Sequence, residues 1–305
     1  MPSKTLITTS SFDAGNGAAI KLIEDGDLEY ILNPFRRKLD ETELIALLEQ
    51  HKPEFLIAGT ETISRKTLEI SKLYLKIISR CGVGMDNVDL KAANELGIKV
   101  FNTPDAPTQA VAELTIGVML DLLRNISKSD RGVRTGDFAK SMGALLSGKT
   151  VGIIGCGRIG SAVAKLVKSF GAIAIGYDKY LKTHIDITLL SFDELLARSD
   201  IISLHIPYSE EDRHIINASA IVKMKRGAIL LNISRGGLVD EDALHHALIS
   251  GAISSAGIDC FEGEPYSGKL TALENVVLTP HIGSYATEAR LKQEIDSVKN
   301  ILDNI

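Results

Sequence analysis

A glycine-rich turn between a short apolar strand and an amphipathic helix constrains the fold of this chain more than any other feature. Residues 151–154 have the composition of a buried strand, and the glycines follow the spacing Gly155-x-Gly157-x-x-Gly160. Gly155 allows a sharp turn, Gly157 lets the backbone approach a pyrophosphate, and Gly160 lets the following helix pack closely on the strand. The amides of the first helical turn, together with the helix dipole, attract an anion. The segment therefore predicts a dinucleotide-binding site.

The strand after this helix ends in an acid. Residues 172–178 form the second predicted strand, and Asp178 lies about twenty residues after the glycines. A carboxylate there accepts hydrogen bonds from the adenine ribose hydroxyls and repels a 2′-phosphate, which favours NAD over NADP. The alternative is a glycine turn that only packs a parallel sheet. The order strand, helix, strand, acid disfavours that alternative, so NAD is the predicted cofactor.

Composition and charge argue against several classes of protein. The chain has 305 residues, enough for two domains, and its net charge of −5 does not support binding to nucleic acid or to a membrane surface. The first ten residues lack the long apolar region of a signal peptide, so none is expected, and no apolar run reaches about twenty residues, the length of a membrane span. The three cysteines, Cys81, Cys156 and Cys260, are widely spaced. That spacing predicts thiols in a reducing cytoplasm rather than disulfides or a zinc site.

The rest of the chain alternates between strands and helices. Pro104 and Pro107 cannot continue either element, so we expect the chain to pass from one domain to the next near them. The expected strands are residues 4–9, 28–31, 54–58, 76–79 and 98–101, then six more at 151–154, 172–178, 200–205, 228–233, 253–259 and 275–279. Repeated strand–helix units predict an α/β protein with two doubly wound parallel-sheet (Rossmann-like) domains and a cleft between them.

Two helical segments of different composition lie between the prolines and the glycine turn. A long apolar helix is expected over about residues 108–124. Residues 127–140 are mostly polar, and a helix that packs on a partner subunit and a solvated connector fit them equally well. A final helix, about residues 286–300, is expected to return the chain to the first domain.

The strands of the second predicted domain each end in polar residues, at the edge where open parallel sheets bind ligands. Arg235 follows one strand, Glu264 follows the next, and His281 follows the last. An arginine can hold a carboxylate and polarise the neighbouring carbonyl, and a histidine can exchange a proton with a hydroxyl. A carboxylate beside the far ring nitrogen favours the correct tautomer. Taken singly, each has an ordinary alternative: a surface arginine, a core histidine and a turn acid. Together they predict the oxidation of a hydroxyl beside a carboxylate.

The same residues resemble a known family, the D-isomer-specific 2-hydroxyacid dehydrogenases, and most of all its D-3-phosphoglycerate dehydrogenase branch. The resemblance covers nearly the whole chain. It rests on the segments at residues 80–89, 102–104, 111–113, 155–160, 205–207, 232–237, 259–265 and 278–283. It implies that Arg235, Glu264 and His281 are catalytic, as the chemistry of the strand ends also suggests.

The resemblance further implies how the two ligands are bound. Residues 1–104 and 285–305 would form a flavodoxin-like substrate-binding domain, which closes by a hinge on the NAD-binding Rossmann domain of residues 105–284. The chain would form a homodimer, largely through the cofactor domains. The substrate contacts would be Arg80, Gly82 and Val83. The expected cofactor contacts are Thr108, Gly155, Gly157, Arg158, Ile159, Gly160, Asp178, His205, Ile206, Pro207, Ile233, Ser234, Asp259 and Gly283.

Some positions depart from the phosphoglycerate dehydrogenase pattern. Val83 stands where a threonine is common, and Gly59 stands where an arginine would grip a substrate phosphate. Arg80 remains as a phosphate partner, although a surface arginine after a strand is nearly as plausible. The chain stops soon after the returning helix, so serine feedback through a C-terminal regulatory domain is not expected.

The leading hypothesis is an NAD-dependent enzyme acting on a small D-2-hydroxy acid in the cytoplasm. Its first candidate substrate is 3-phosphoglycerate, followed by glyoxylate, hydroxypyruvate or another 2-keto acid. A hypothesis of another class is an NADH-sensing, corepressor-like binding protein, and an NADP enzyme is a third that Asp178 disfavours. No metal is expected, because hydride transfer needs only the nicotinamide and a proton relay. We assign the remaining histidines at positions 184, 214, 245 and 246 to the surface or to helix caps.

Overall fold

A computed structural model describes residues 3–12 and 17–305 of the chain. Internal contacts divide it into two compact units, each treated separately below. One unit comprises the chain up to Pro107 together with Tyr285–Ile305, and the other is Thr108–Ser284. The first division follows Pro107, directly before a helix begins at Thr108, rather than Pro104.

The first unit is a parallel sheet with helices on both faces. Its strands are β1 (Lys4–Ile7), β2 (Glu29–Leu32), β3 (Phe55–Ala58), β4 (Ile77–Arg80) and β5 (Lys99–Phe101). They lie in the order β2-β1-β3-β4-β5. The helices are α1 (Ala18–Asp25), α2 (Glu41–His51), α3 (Arg65–Ser71), α4 (Leu90–Glu95) and α11 (Thr287–Leu302). All four residues of the central strand β3 are buried, because helices cover both faces of a parallel sheet.

The core of this unit has two layers, one on each face of the sheet. Leu44 and Leu48 of α2 pack with Leu56 on one face. On the other face, Val298 and Ile301 of α11 are buried in a cluster with Ile57. The C-terminal helix thus shares with α1 the cover of one face of a sheet built from the start of the chain.

The second unit is a larger sheet of the same kind. Its strands are β6 (Thr150–Ile154), β7 (Ile173–Tyr177), β8 (Thr188–Leu189), β9 (Ile201–Leu204), β10 (Ala228–Asn232), β11 (Ile253–Ile258) and β12 (Val276–Leu278). They lie in the order β12-β11-β10-β9-β6-β7-β8, and each pair is parallel. The helices are α5 (Thr108–Arg124), α6 (Ile126–Arg134), α7 (Arg158–Ser169), α8 (Phe192–Arg198), α9 (Ala218–Lys223) and α10 (Glu241–Ser250).

These sheets confirm the expected fold class, an α/β protein with two doubly wound parallel sheets, and correct two details. The second sheet has seven strands rather than six, because the edge strand β8 has only two residues and leaves no periodic pattern in the sequence. The polar segment after α5 is helical only as far as Arg134, and no residue of that helix is buried. Within the described part of the chain, no helix is both long and apolar enough to cross a membrane.

Candidate functional site

The order of the larger sheet defines where a ligand is expected. Successive connections run to opposite sides of β6: β7 lies on one side and β9 on the other. Helices that leave these two strands cross to opposite faces, which opens a crevice at the carboxyl ends of the strands. The glycine turn leaves β6 at this point, and the amide of His205, just after β9, donates to the carbonyl of Ile154 at 2.7 Å.

The glycines of this turn are required by its geometry. Gly155 has φ 93°, and a Cβ there would lie 2.7 Å from the carbonyl carbon and oxygen of His205. A Cβ on Gly160 would collide with the carbonyl oxygen of Gly155. At Gly157, by contrast, no heavy atom lies within 4 Å of the Cβ position, and no side chain of the described residues caps α7. The space beside Gly157 at the start of α7 is therefore open, which fits a bound pyrophosphate.

Asp178 is tied to this turn by backbone hydrogen bonds. Its carboxylate accepts from the amides of Cys156 at 2.9 Å, Tyr180 at 2.9 Å and Leu181 at 3.0 Å. Partial burial works against the charged form, but these amides and the nearby His184 hold the pKa of Asp178 below its ordinary value. The carboxylate is therefore ionised at neutral pH, as a group that repels a 2′-phosphate must be.

His184 has a more specific position than the surface or capping role expected for it. One ring nitrogen, Nε2, lies 2.9 Å from the hydroxyl of Ser161 in α7. The other, Nδ1, accepts from the amide of Asp186 at 3.1 Å. The ring thus connects the first turns of α7 to the loop after β7.

Two of the predicted cofactor contacts carry buried polar atoms that lack a hydrogen-bond partner among the described residues. These atoms are Oγ1 of Thr108, at the start of α5, and Nδ1 of His205. The other ring nitrogen of His205 lies 2.8 Å from the hydroxyl of Ser203, and burial lowers the pKa of His205 to about 4, so its ring is neutral. A buried polar atom without a partner costs about 1–3 kcal/mol, and a ligand that bonds to it recovers that cost. Both positions thus fit a polar cofactor.

Asp259 fixes the loop that carries His281. Only 1% of Asp259 is exposed. Its carboxylate accepts from the hydroxyl of Thr279 at 2.6 Å and from the amides of Ile282 at 2.8 Å and Gly283 at 2.9 Å. Three donors compensate the burial of this charge. The same bonds hold the loop on either side of His281.

His281 is held against Glu264 in a backbone conformation that few residues adopt. Its φ is 55°, in the left-handed region. Non-glycine residues persist there only where the surroundings determine the conformation, often at functional sites. The Nδ1 atom lies 3.0 Å from each carboxylate oxygen of Glu264, and the two side chains are 43% and 40% exposed. Nδ1 is thus paired with the Glu264 carboxylate, while the imidazole ring remains accessible to solvent.

The loop of Arg235 packs directly on the loop of Glu264. A Cβ on Gly236 would collide with the carbonyl group of Phe261 and with the next amide. The amide of Phe261 in turn donates to the Glu264 carboxylate at 3.1 Å. Buried Asn232 donates to the carbonyl of Arg235 at 2.9 Å, which fixes the backbone of the Arg235 loop. Glu264 therefore contacts both His281 and the backbone on which the Arg235 loop packs.

In the first unit, the three expected substrate contacts lie at the end of β4 and in the loop after it. A Cβ on Gly82, where φ is 154°, would collide with the guanidinium of Arg80. Arg80 donates to the carbonyl of Cys81. The side chain of Asn102 donates to the carbonyl of Val83 at 2.7 Å, and Val83 is 37% exposed. The loop is thus fixed by backbone contacts, with Val83 at the surface of this unit.

Comparison with known proteins identifies the family. The family model "D-isomer specific 2-hydroxyacid dehydrogenase, NAD binding domain" matches residues 116–283, more than half of the chain. The chain belongs to this family. The resemblance stated from the sequence is therefore confirmed.

Individual relatives cover the chain to different extents. A hydroxypyruvate reductase of Thermotoga maritima is 41% identical over 276 residues, which make up 88% of this chain and 89% of the relative. A D-3-phosphoglycerate dehydrogenase of Methanocaldococcus jannaschii is 41% identical over 281 residues, which make up 89% of this chain. The chain spans only 52% of that protein. The structure of a glyoxylate reductase from Paecilomyes thermophila superposes with a TM-score of 0.89 at 28% identity, over 98% of this chain and 94% of that one.

This D-2-hydroxyacid dehydrogenase is an enzyme that uses NAD and acts on CH–OH donors. When bound, NAD would supply the hydride chemistry that interconverts a hydroxyl and a keto group. The open space beside Gly157, the ionised Asp178 and the two unpartnered polar atoms of Thr108 and His205 fit NAD. The expected cofactor is therefore confirmed.

The residue that sequence reasoning missed in the first unit is Glu61. It is 1% exposed, in the loop after β3, and its Oε1 accepts from the hydroxyl of Thr8 and, at 3.0 Å, from the amide of Gly59. Its other oxygen lies 2.8 Å from the Cβ position of Gly59. Its partners follow the neighbouring strands β1 and β3, so this carboxylate lies at the carboxyl edge of the smaller sheet. The sequence signal that could have found it is the acid Glu61, two residues after Gly59, the glycine at the position of an expected arginine.

Proposed function

We propose that this dehydrogenase interconverts a small, unphosphorylated 2-keto acid, of the hydroxypyruvate or glyoxylate type, with its D-2-hydroxy acid. The single observation that carries this choice is the buried carboxylate of Glu61 beside Gly59. An acid in this loop, with glycine rather than arginine at position 59, disfavours a substrate phosphate, which carries about two further negative charges. We therefore place these acids ahead of 3-phosphoglycerate, which the sequence alone ranked first.

In this proposal Arg235 binds the substrate carboxylate and polarises the neighbouring carbonyl. A guanidinium forms paired hydrogen bonds with a carboxylate, and its charge is permanent. The backbone contacts of the Arg235 loop described above limit its motion, which supports this role. The amides of Gly82 and Val83 would hold the same carboxylate from the first unit, with Arg80 next to them.

His281 would give a proton to the substrate oxygen during reduction and take it back during oxidation. Its Nδ1 is paired with Glu264, so Nε2 is the atom that exchanges the proton with the substrate. Glu264 stabilises the positive charge of the protonated ring and selects its orientation. Proton transfer of this kind contributes typically about 10²- to 10⁴-fold to the rate.

Residues at the crevice would bind NAD. The amides of Gly157, Arg158 and Ile159 would hold the pyrophosphate, and Asp178 would accept from the ribose hydroxyls. The remaining contacts would be Thr108, at the start of α5, and residues that follow β9, β10, β11 and β12: His205, Ile206, Pro207, Ile233, Ser234, Asp259 and Gly283. Among them, the hydroxyl of Ser234 donates to the carbonyl of Ile206, which supports their grouping.

The second unit would also form the interface of a homodimer. Five apolar side chains in α6 and in the segment between α6 and β6 are largely exposed: Ile126, Val133, Phe138, Met142 and Leu145, from 55% to 95%. Exposed apolar surface on this scale marks an interaction site, and a second copy of the chain is the partner that we propose. The cytoplasm is the location that suits three cysteine thiols, all buried.

A substrate panel tests the proposal. We expect NADH oxidation with hydroxypyruvate and glyoxylate, at a kcat/KM at least about tenfold higher than with 3-phosphohydroxypyruvate, a difference of about 1.4 kcal/mol. A preference for the phosphorylated acid would contradict the substrate class. NADH binding without turnover of any 2-keto acid would contradict the dehydrogenase assignment and favour the sensing protein.

A further inference from the structure

The catalytic loops of the second unit contain a set of side chains that hydride transfer does not require. The thiol of Cys260, the carboxylate of Glu264 and the imidazole of His281 place one ligand atom each within 4.8 Å of one another. Cys260 follows Asp259 at the end of β11, so the set joins three positions that lie apart in the sequence. Sequence spacing gave no sign of a zinc site, because these residues form no CxxC or HxxxH pattern.

These three groups match the preferences of one class of cation. Thiolate, imidazole and carboxylate are the ligands of Zn²⁺, whereas Mg²⁺ and Ca²⁺ select oxygen ligands. In a tetrahedral zinc site with bonds of about 2.0–2.3 Å, ligand atoms lie about 3.3–3.8 Å apart. The observed spread requires only a small contraction, and Nδ1 of His281 and the oxygens of Glu264 are already 3.0 Å apart.

The cluster is also accessible from one side. Glu264 and His281 have 40% and 43% of their side chains exposed, while Cys260 is 2% exposed behind them. A cation therefore meets the carboxylate and the imidazole first and binds the thiol last. The two loops that bear these groups are held in place by Asp259 and by the packing of Gly236 on Phe261, so the ligands are largely preorganised.

We infer that Cys260, Glu264 and His281 form an inhibitory site for Zn²⁺ or another thiophilic divalent cation. Binding releases the thiol proton of Cys260 to solvent, and the metal takes the place of the hydrogen bond between Nδ1 and Glu264. A metal on Nδ1 prevents the imidazole from holding two protons, so His281 can no longer donate one to the substrate. This step rests on the role proposed for His281, but the binding itself does not.

The test compares the full-length wild type with Cys260→Val and Cys260→Ser, and with Cys81→Val as the matched control at a buried cysteine of the first unit. NADH oxidation is measured against Zn²⁺ in buffer without thiols or chelators, with Mg²⁺ in parallel. We expect micromolar Zn²⁺ to inhibit the wild type and Cys81→Val, reversibly on adding EDTA, and Mg²⁺ to have no effect. Both Cys260 variants should need at least about tenfold more Zn²⁺, since removal of a supporting group already costs about 10- to 100-fold in affinity.

A second measurement detects the metal without catalysis. Co²⁺ bound to a thiolate gives a charge-transfer absorption in the near ultraviolet, and we expect it in the wild type and Cys81→Val but not in the Cys260 variants. Equal Zn²⁺ inhibition of the wild type and the Cys260 variants, or a thiolate band that survives loss of Cys260, would overturn the site. If the wild type turned over no 2-keto acid but still showed the Cys260-dependent band, the proposed function would fail and the metal site would stand.

Discussion

At the carboxyl edge of each of the two sheets, buried or half-buried carboxylates accept hydrogen bonds from backbone amides, but the loops held in this way differ between the sheets. In the larger sheet, Asp178 and Asp259 accept backbone amides from the loops that carry the glycine turn and His281. In the smaller sheet, Glu61 accepts hydrogen bonds from the amide of Gly59 and from the hydroxyl of Thr8. Each carboxylate ties loops from separate strands, and donors compensate its burial.

The difference lies in what the tied loops present. The loops of the larger sheet hold Arg235, Glu264 and His281, which have the chemistry of proton exchange and carboxylate binding. The loop after β4 presents backbone amides, the exposed Val83 and Arg80. The comparison suggests that the larger sheet supplies the reaction, while the smaller one sets which substrate is accepted. The following predictions test this division.

The largest effect is expected at His281. His281→Ala should reduce kcat by about 10²- to 10⁴-fold, because it removes the group that we propose to exchange the proton with the substrate. Steady-state kinetics with hydroxypyruvate and NADH measures the effect. His246→Ala, on the exposed side of α10, is the control and should change kcat by less than about twofold. If kcat of His281→Ala were close to that of the control, the proposal that the reaction takes place at this edge of the larger sheet would be wrong.

Asp259→Asn should lower kcat by about 100-fold. In asparagine an NH₂ donor replaces one of the two carboxylate oxygens, so it would oppose the backbone amide of Ile282 or Gly283. The His281 loop would then move, and a displacement of about 1 Å lowers a rate by about 100-fold. Asp200→Asn is the control, since Asp200 accepts the amide of Thr150 at 2.8 Å at the opposite end of the sheet. Equal losses in the two variants would indicate general destabilisation rather than misplacement of His281.

Asp178→Asn should change the cofactor preference by about tenfold towards NADPH. It removes a negative charge near the expected position of the 2′-phosphate, and about 1.4 kcal/mol corresponds to that ratio. Because the pKa of Asp178 is held below its ordinary value, the preference of the wild type should be constant between about pH 6 and 9. Measuring kcat/KM for NADH and NADPH across this range tests both statements. A preference that appears only at high pH would mean that another group confers it.

The smallest effect is expected in the first unit. Glu61→Gln should raise kcat/KM for 3-phosphohydroxypyruvate relative to glyoxylate by about fivefold, on the order of 1 kcal/mol for one screened like charge, without changing kcat for glyoxylate. Glu69→Gln, an exposed acid on α3, is the control. A fall in kcat for glyoxylate in Glu61→Gln alone would show that this loop takes part in the reaction as well as in selection.

Much of this protein follows from patterns that are local in the sequence. The glycine spacing at residues 155–160 predicts a turn because only glycine fits the contacts at Gly155 and Gly160. The alternation of apolar strands and amphipathic helices predicts the parallel sheets, since a buried strand needs apolar residues on both faces. The polar residues after successive strands predicted a common site edge, because parallel strands end on the same side.

Other features depend on contacts between segments that lie far apart in the chain. The bonds of Asp259 to residues 279–283, of His184 to Ser161 and of Glu61 to Thr8 span about 20 to 50 residues. No periodicity encodes them. The edge strand β8 was not predicted from the sequence, because its two residues form a strand only by pairing with β7.

The sequence by itself determined the fold class, the family, the cofactor and the identity of the three side chains whose chemistry suits a 2-hydroxy acid. Those properties depend on which residue types occur at which spacing, and spacing is visible in one dimension. Tertiary structure alone decided how the loops are tied, that Glu61 is buried beside Gly59, and that Cys260 lies within ligand distance of Glu264 and His281. Those properties arise only when strand order brings distant loops to one edge, where burial forces each charged group to find a partner.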